Sequence, residues 1–156
     1  MAKKKSWREK LLDAKDLPKV VTLGENAQRH WKGNTMAIPS PMEVNEIMAR
    51  VHKGKLITIQ EIRNRIAQKH HADIGCPLTC GIFSWIAAYA AEEEAGQGKK
   101  KITPYWRTLK TGGELNPKYP GGLERQKGLL ESEGHTVVQK GKKVFVKNFD
   151  KMLLRA

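Results

Sequence analysis

The stretch PMEVNEIMARVHKGKLITIQEIRNRIAQKHH, Pro41 to His71, carries two helical repeats back to back. In its first half Val44, Ile47, Met48 and Val51 recur at intervals of three and four. Pro41 opens the run and Gly54 follows it, which predicts an amphipathic helix with a start and a stop signal. In the second half Ile59, Ile62 and Ile66 form another such stripe. Thr58 precedes them as an N-cap, and Glu61, three residues on, predicts a capping box.

The next segment, CPLTCGIFSWIAAYAAEEEA, predicts a longer helix from about Pro77 to Ala95. At about 100° per residue Leu78, Ile82, Trp85, Ile86 and Tyr89 fall on one stripe, and Gly81, Ser84, Ala88 and Ala91 fall nearly opposite. The large stripe is expected to face the core and the small one to be bare. A bare small stripe serves either close packing of a neighbouring helix or approach of a nucleic-acid backbone. Two short helices followed by a longer one predict a helix-turn-helix with the third helix in the recognition position. Further on, GLERQKGLLESEG predicts a fourth helix ending at Gly134, and HTVVQKGKKVFVKNF predicts two short strands around Lys140-Gly141-Lys142. Such a hairpin after a helix-turn-helix is a wing, and Lys140, Lys142, Lys143 and Lys147 would add phosphate contacts there.

The fold class expected is therefore mainly α with a small β-hairpin wing, a winged helix-turn-helix over residues 41–149. A basic N-terminal arm, residues 1–40, would precede it and a tail, residues 150–156, would follow. In the arm Trp7, Leu11 and Leu12 are expected on one side of a short helix that packs on the body. Lys3 to Lys5 read as part of that arm or as a solvated tail.

The chain has 156 residues, with 29 Lys and Arg against 16 Asp and Glu and a net charge of +13. Such a field favours a polyanion, with nucleic acid ahead of an anionic membrane surface. No apolar run approaches the roughly 20 residues that cross a bilayer, and MAKKKSWREK has charge but no apolar segment behind it. A cytoplasmic protein with no membrane partner is expected. Cys76 and Cys80 are too few for a disulfide framework. With His70 and His71 they supply zinc-ligand residue types, but the spacing HHADIGCPLTC matches no common ligand pattern, so no metal is expected.

With these pieces in order, the chain from about Pro41 to Val146 resembles the DNA-binding domain of the O6-alkylguanine-DNA alkyltransferases and, more closely, their alkyltransferase-like relatives. The likeness is carried by the VxxxMxxVxKGKxxT pattern of Val44 to Thr58 and by Pro104-Tyr105-Trp106-Arg107. It continues in Tyr119-Pro120-Gly121-Gly122 with Leu123-Glu124, and in LLESEGH at Leu129 to His135. In that family Pro-Cys-His-Arg-Val holds a nucleophilic cysteine, activated through the histidine and a distant glutamate. Here Tyr105 takes the cysteine position and Trp106 the histidine position, and Glu133 stands at the glutamate position. A phenol with an ordinary pKa near 10 beside an indole supplies neither a thiolate nor a base.

The resemblance thus implies a non-enzymatic, cofactor-free, monomeric protein that binds double-stranded DNA containing O6-alkylguanine and supports repair through other DNA repair proteins. It implies a base pocket bordered by Tyr105, Trp106, Arg107, Tyr119, Gly121, Gly122 and Glu133. It also implies DNA contacts from Thr58, Gln60, Thr79, Gly81, Phe83 and Ser84, and from Lys140, Lys142 and Lys143. An extruded base would pack against the two rings. Three departures stand out. No arginine lies between Arg65 and Arg107 to fill the gap left by a flipped base, so Phe83 is the candidate wedge. The family's base-rotating tyrosine aligns with Ile59. The acids Glu92 to Glu94 are expected to point away from DNA, with Lys99 to Lys101 either clamping phosphate or forming a solvated helix end. A competing reading is a winged-helix regulator or architectural protein with no lesion pocket.

Overall fold

The computed structural model describes residues 5–154; Lys3 and Lys4 of the basic run lie outside them. Among the described residues six helices and seven short strands follow one another, mostly in alternation. The two helices expected from Pro41 to His71 are α3 (Pro41–Ala49) and α4 (Ile59–Lys69). Ser40 and Glu43 close a full capping box on α3. On α4 the Thr58 hydroxyl accepts from the Glu61 amide at 3.3 Å, but the Glu61 carboxylate turns to Arg65 at 3.4 Å, so only half of the expected box forms. Val44, Met48, Val51, Ile62 and Ile66 are all buried.

The long helix α5 (Pro77–Gly96) runs through the middle, and here the expected faces are reversed. Ser84, Ala87 and Ala88 have no exposed surface, whereas Leu78 is 69% exposed. Small side chains let α5 approach its neighbours closely, so they take the interior. The large residues are only partly covered. Trp85 and Tyr89 are sheltered by Trp7 of α1 (Trp7–Leu12), which stacks on Tyr89 at 4.6 Å and meets Trp85 edge-on at 6.2 Å. Leu11 of α1 is buried as expected, but Leu12 is exposed, because a step of five residues turns it away from Trp7.

The largest difference from expectation lies before Pro41. Residues placed in an arm instead form β1 (Lys19–Thr22), α2 (Glu25–Trp31) and β2 (Thr35–Ile38). β1 pairs antiparallel with β2, and β2 pairs in parallel with β4 (Ile74–Gly75), which links this layer to the end of α4. Gly75 makes the seating tight: a side chain there would run into the backbone carbonyl of Arg63. With strands of four residues and mixed burial, the layer shows little of the long alternation that announces a sheet.

A second parallel pair joins β3 (Ile57–Thr58) to β5 (Thr108–Leu109), so the start of α4 lies beside the Pro104–Arg107 segment. The helix α6 (Gly122–Ser132) follows, and then β6 (Val137–Lys140) and β7 (Lys143–Val146) form the expected hairpin. The hairpin is anchored to the loop before α6, with the Leu115 amide donating to Val144 and the Val146 amide to Gly113. No helix among the described residues is long and apolar enough to cross a membrane.

Candidate functional site

Tyr105, Trp106 and Arg107 form one 3-10 turn, held between α3, α5 and α6. Tyr105 has no exposed surface; its hydroxyl donates to Glu92 of α5 at 2.6 Å. Its ring meets Trp106 at 5.3 Å and Tyr119 at 5.5 Å, both edge-on, a favoured aromatic arrangement. Burial, then the carboxylate acceptor, push the phenol well above its ordinary range, so it stays protonated. Glu92 is also bound by Arg125 of α6 at 3.1 Å. The other acids of the run are engaged as well: Glu93 accepts from the Trp7 and Arg8 amides at the start of α1, and Glu94 pairs with Arg8 and Lys99. These carboxylates bind the protein's own donors, Lys99 among them.

Arg107 and Glu133 make a two-pronged ion pair, with Nε donating at 2.9 Å and Nη2 at 2.6 Å, while Nη1 donates to the Val51 carbonyl at 2.7 Å. Burial opposes the Glu133 charge, but the Arg107 guanidinium and, less strongly, the nearby Trp106 indole hold its carboxyl below the usual range. Glu133 is thus committed to Arg107. The Trp106 indole N–H is buried without a hydrogen-bond acceptor in bonding geometry. Gln126 of α6, fully buried, completes the frame by donating to the Trp106 carbonyl at 3.2 Å and accepting from the Asn116 amide at 2.8 Å.

The expected base pocket is therefore filled by protein. Tyr105 and Tyr119 are buried, Arg107 is locked, and Gly121 and Gly122 turn the chain into α6 with φ of 79° and 68°. One open groove lies near this frame, between the first turns of α5 and the loop that carries the chain from Arg107 to Tyr119. Its volume is about 430 Å³, with Ile59, Leu78, Ile82, Trp85 and Pro117 among its apolar walls. Gly81 lines it as expected; Arg63, Lys110 and Lys118 supply charge, and no acidic side chain lines it.

The remaining expected contacts divide. Ser84 is excluded from any groove, since it is buried and its hydroxyl donates to the Gly81 carbonyl at 2.6 Å. Phe83, the candidate wedge, is partly buried and packs against the core. Thr58 spends its hydroxyl on the α4 cap, the Thr79 hydroxyl is buried, and Gln60 bonds Asn64 and Arg63. Lys140, Lys142, Lys143 and Lys147 are all exposed on or beside the hairpin. Sequence reasoning gave no site role to Arg63, Glu92, Arg125 or Gln126; a glutamine at helical spacing between Leu123 and Leu130 was the one local signal.

Cys76 and Cys80 are buried and free. Cys76 caps α5 by accepting from the Thr79 amide at 3.5 Å, and burial pushes the Cys80 thiol up to about 12. Native protein at pH 8 is expected to react with a thiol reagent orders of magnitude more slowly at Cys80 than urea-unfolded protein does. Equal rates would show that Cys80 is accessible and ionised. His70 bonds Glu43 at 2.7 Å, and among the described residues no group of three or more His, Cys, Asp or Glu lies together to hold a metal.

No protein-family model matches the chain, and no curated protein matches it. Two solved structures are similar. One is S. pombe Atl1 in complex with damaged DNA containing O6-carboxymethylguanine, at 18% identity and a TM-score of 0.49. The other is S. pombe ATL in complex with DNA, at 20% identity and a TM-score of 0.44. Each likeness covers 74% of this chain and 94% of the other.

Proposed function

We propose that this chain is an alkyltransferase-like protein that binds duplex DNA, recognises alkylated guanine without alkyl transfer, and so supports repair. In this reading α3, α4 and α5 with the β6–β7 hairpin act as a winged helix-turn-helix. The observation that carries it is the position of the groove. It opens between the start of the helix in the recognition position and the loop leaving Pro104–Arg107, and its only charged walls are cationic. A net charge of +13 and exposed hairpin lysines supply phosphate contacts on the same view. The family's chemistry is replaced: a protonated, fully buried phenol stands for the nucleophile, and the glutamate is paired with arginine.

The full burial of Tyr105 also favours a second reading, a regulator or architectural protein that binds undamaged DNA and inspects no base. The two readings share the charge and the hairpin and differ only in selectivity for the modified base. Both predict an intact mass unchanged after incubation with a duplex containing O6-methylguanine. A gain of one methyl group would overturn both.

A further inference from the structure

Among the groove's cations Arg63 is held by two hydrogen bonds from within the stretch that the family resemblance covers, and it also meets one residue, Trp31, from before that stretch. The Arg63 Nε donates to the Gly75 carbonyl at 2.9 Å and its Nη1 to Gln60 at 3.1 Å. Its guanidinium carbon sits 5.4 Å from the centre of the Trp31 ring, within cation–π range. Among the described residues no carboxylate forms an ion pair with it. This is an unneutralised guanidinium in a fixed orientation at the wall of an otherwise mainly apolar groove.

Trp31 closes α2, and α2 is fixed to the body through β2 and β4, where Gly75 lies against the Arg63 backbone. The β1–α2–β2 layer therefore reaches the groove through the contact of Trp31 with Arg63. Stacking on an indole restricts the long arginine side chain before any ligand arrives, so less rotamer entropy is lost when an anion binds. A groove with apolar walls and cations but no acids fits a ligand with an anionic part and a flat apolar part, which is the chemistry of a nucleotide within a strand.

We propose that Arg63, positioned by Trp31, contacts a backbone phosphate of the nucleic-acid strand lying along the groove, and that the N-terminal layer is thereby part of the binding surface. This rests on the DNA-binding reading above. Trp31 is a positioning residue and does not itself touch the strand.

The test is fluorescence anisotropy of a labelled unmodified duplex with the full chain across a salt series. Arg63→Gln is expected to weaken binding several-fold and to lower the slope of log affinity against log salt by about one contact, roughly 0.9. Trp31→Ala is expected to weaken binding less than Arg63→Gln, and to have no further effect once Arg63 is glutamine. Trp31→Phe, which keeps a ring, restores most of the affinity. Arg63→Lys, read by the same series, keeps the slope but binds more weakly than wild type, so the inference is tested even where glutamine disturbs folding. Wild-type slope and affinity in Arg63→Gln, or additive effects of the two substitutions, overturn the inference while leaving DNA binding intact. A wild-type chain that does not bind the duplex at low salt overturns the DNA-binding reading itself.

Discussion

Replacing Arg107 by methionine is expected to destabilise the fold by about 3–5 kcal/mol at neutral pH, the cost of leaving a buried carboxylate without its partner. Glu133 and Arg107 expose only 8% and 13% of their side chains, so solvent does little to screen the loss. The double variant Arg107→Met with Glu133→Leu is expected to recover much of it, since no charge then remains unpaired. The pH dependence has a definite sign. In the wild type the Glu133 carboxyl lies below its usual value, so the pair stabilises the fold above the unfolded pKa and is lost as pH falls through the folded one. In Arg107→Met the strongest influence holding the carboxyl down is gone while the burial that raises it stays, so the deficit relative to wild type shrinks toward acid pH. Urea unfolding of both proteins at pH 7 and pH 5 checks this. An equal deficit at both values would contradict the buried pair.

Tyr105→Ala should produce an effect of similar size through packing. The ring is fully buried between Trp106 and Tyr119, and truncating a buried aromatic costs about 3–5 kcal/mol, including the cavity left behind. Tyr105→Phe keeps the ring and removes only the donation to Glu92, which retains Arg125. A loss of about 1–2 kcal/mol is expected there, or a drop in Tm of several degrees. Comparable thermal melts for alanine and phenylalanine would show that the hydroxyl, and not the ring, holds the site closed.

Much of the fold was readable because each local signal agreed with its neighbours. Pro41 ahead of its apolar stripe, Thr58 ahead of its isoleucine stripe, and Gly134 after α6 mark helix ends by chemistry that acts within a few residues. The reversal of α5 was not readable in the same way. A helix apolar nearly all round has no single preferred face, and the choice fell to what packs against it: α3 lies along α5, and Trp7 arrives from far away in sequence to shelter Trp85 and Tyr89. The β1–α2–β2 layer escaped for a related reason, since β2 is completed by a partner some forty residues later, at β4.

At the site, the residue positions were legible and their partners were not. Pro104 to Arg107 and Glu133 were found from the sequence, but the pairing of Glu133 with Arg107, and of Tyr105 with Glu92, depends on which helices converge there. The open groove likewise falls near the motif because the two rings fill the space within it.

The central proposal, recognition of alkylated guanine without transfer, is tested most directly by competition. A labelled duplex with one O6-methylguanine is bound to the protein and displaced by unlabelled modified or unmodified duplex of the same sequence at fixed salt. The proposal predicts that the modified duplex competes at a concentration lower by about tenfold or more, a preference of roughly 1.4 kcal/mol. Identical competition curves would contradict lesion recognition and leave a DNA-binding protein that reads no modified base.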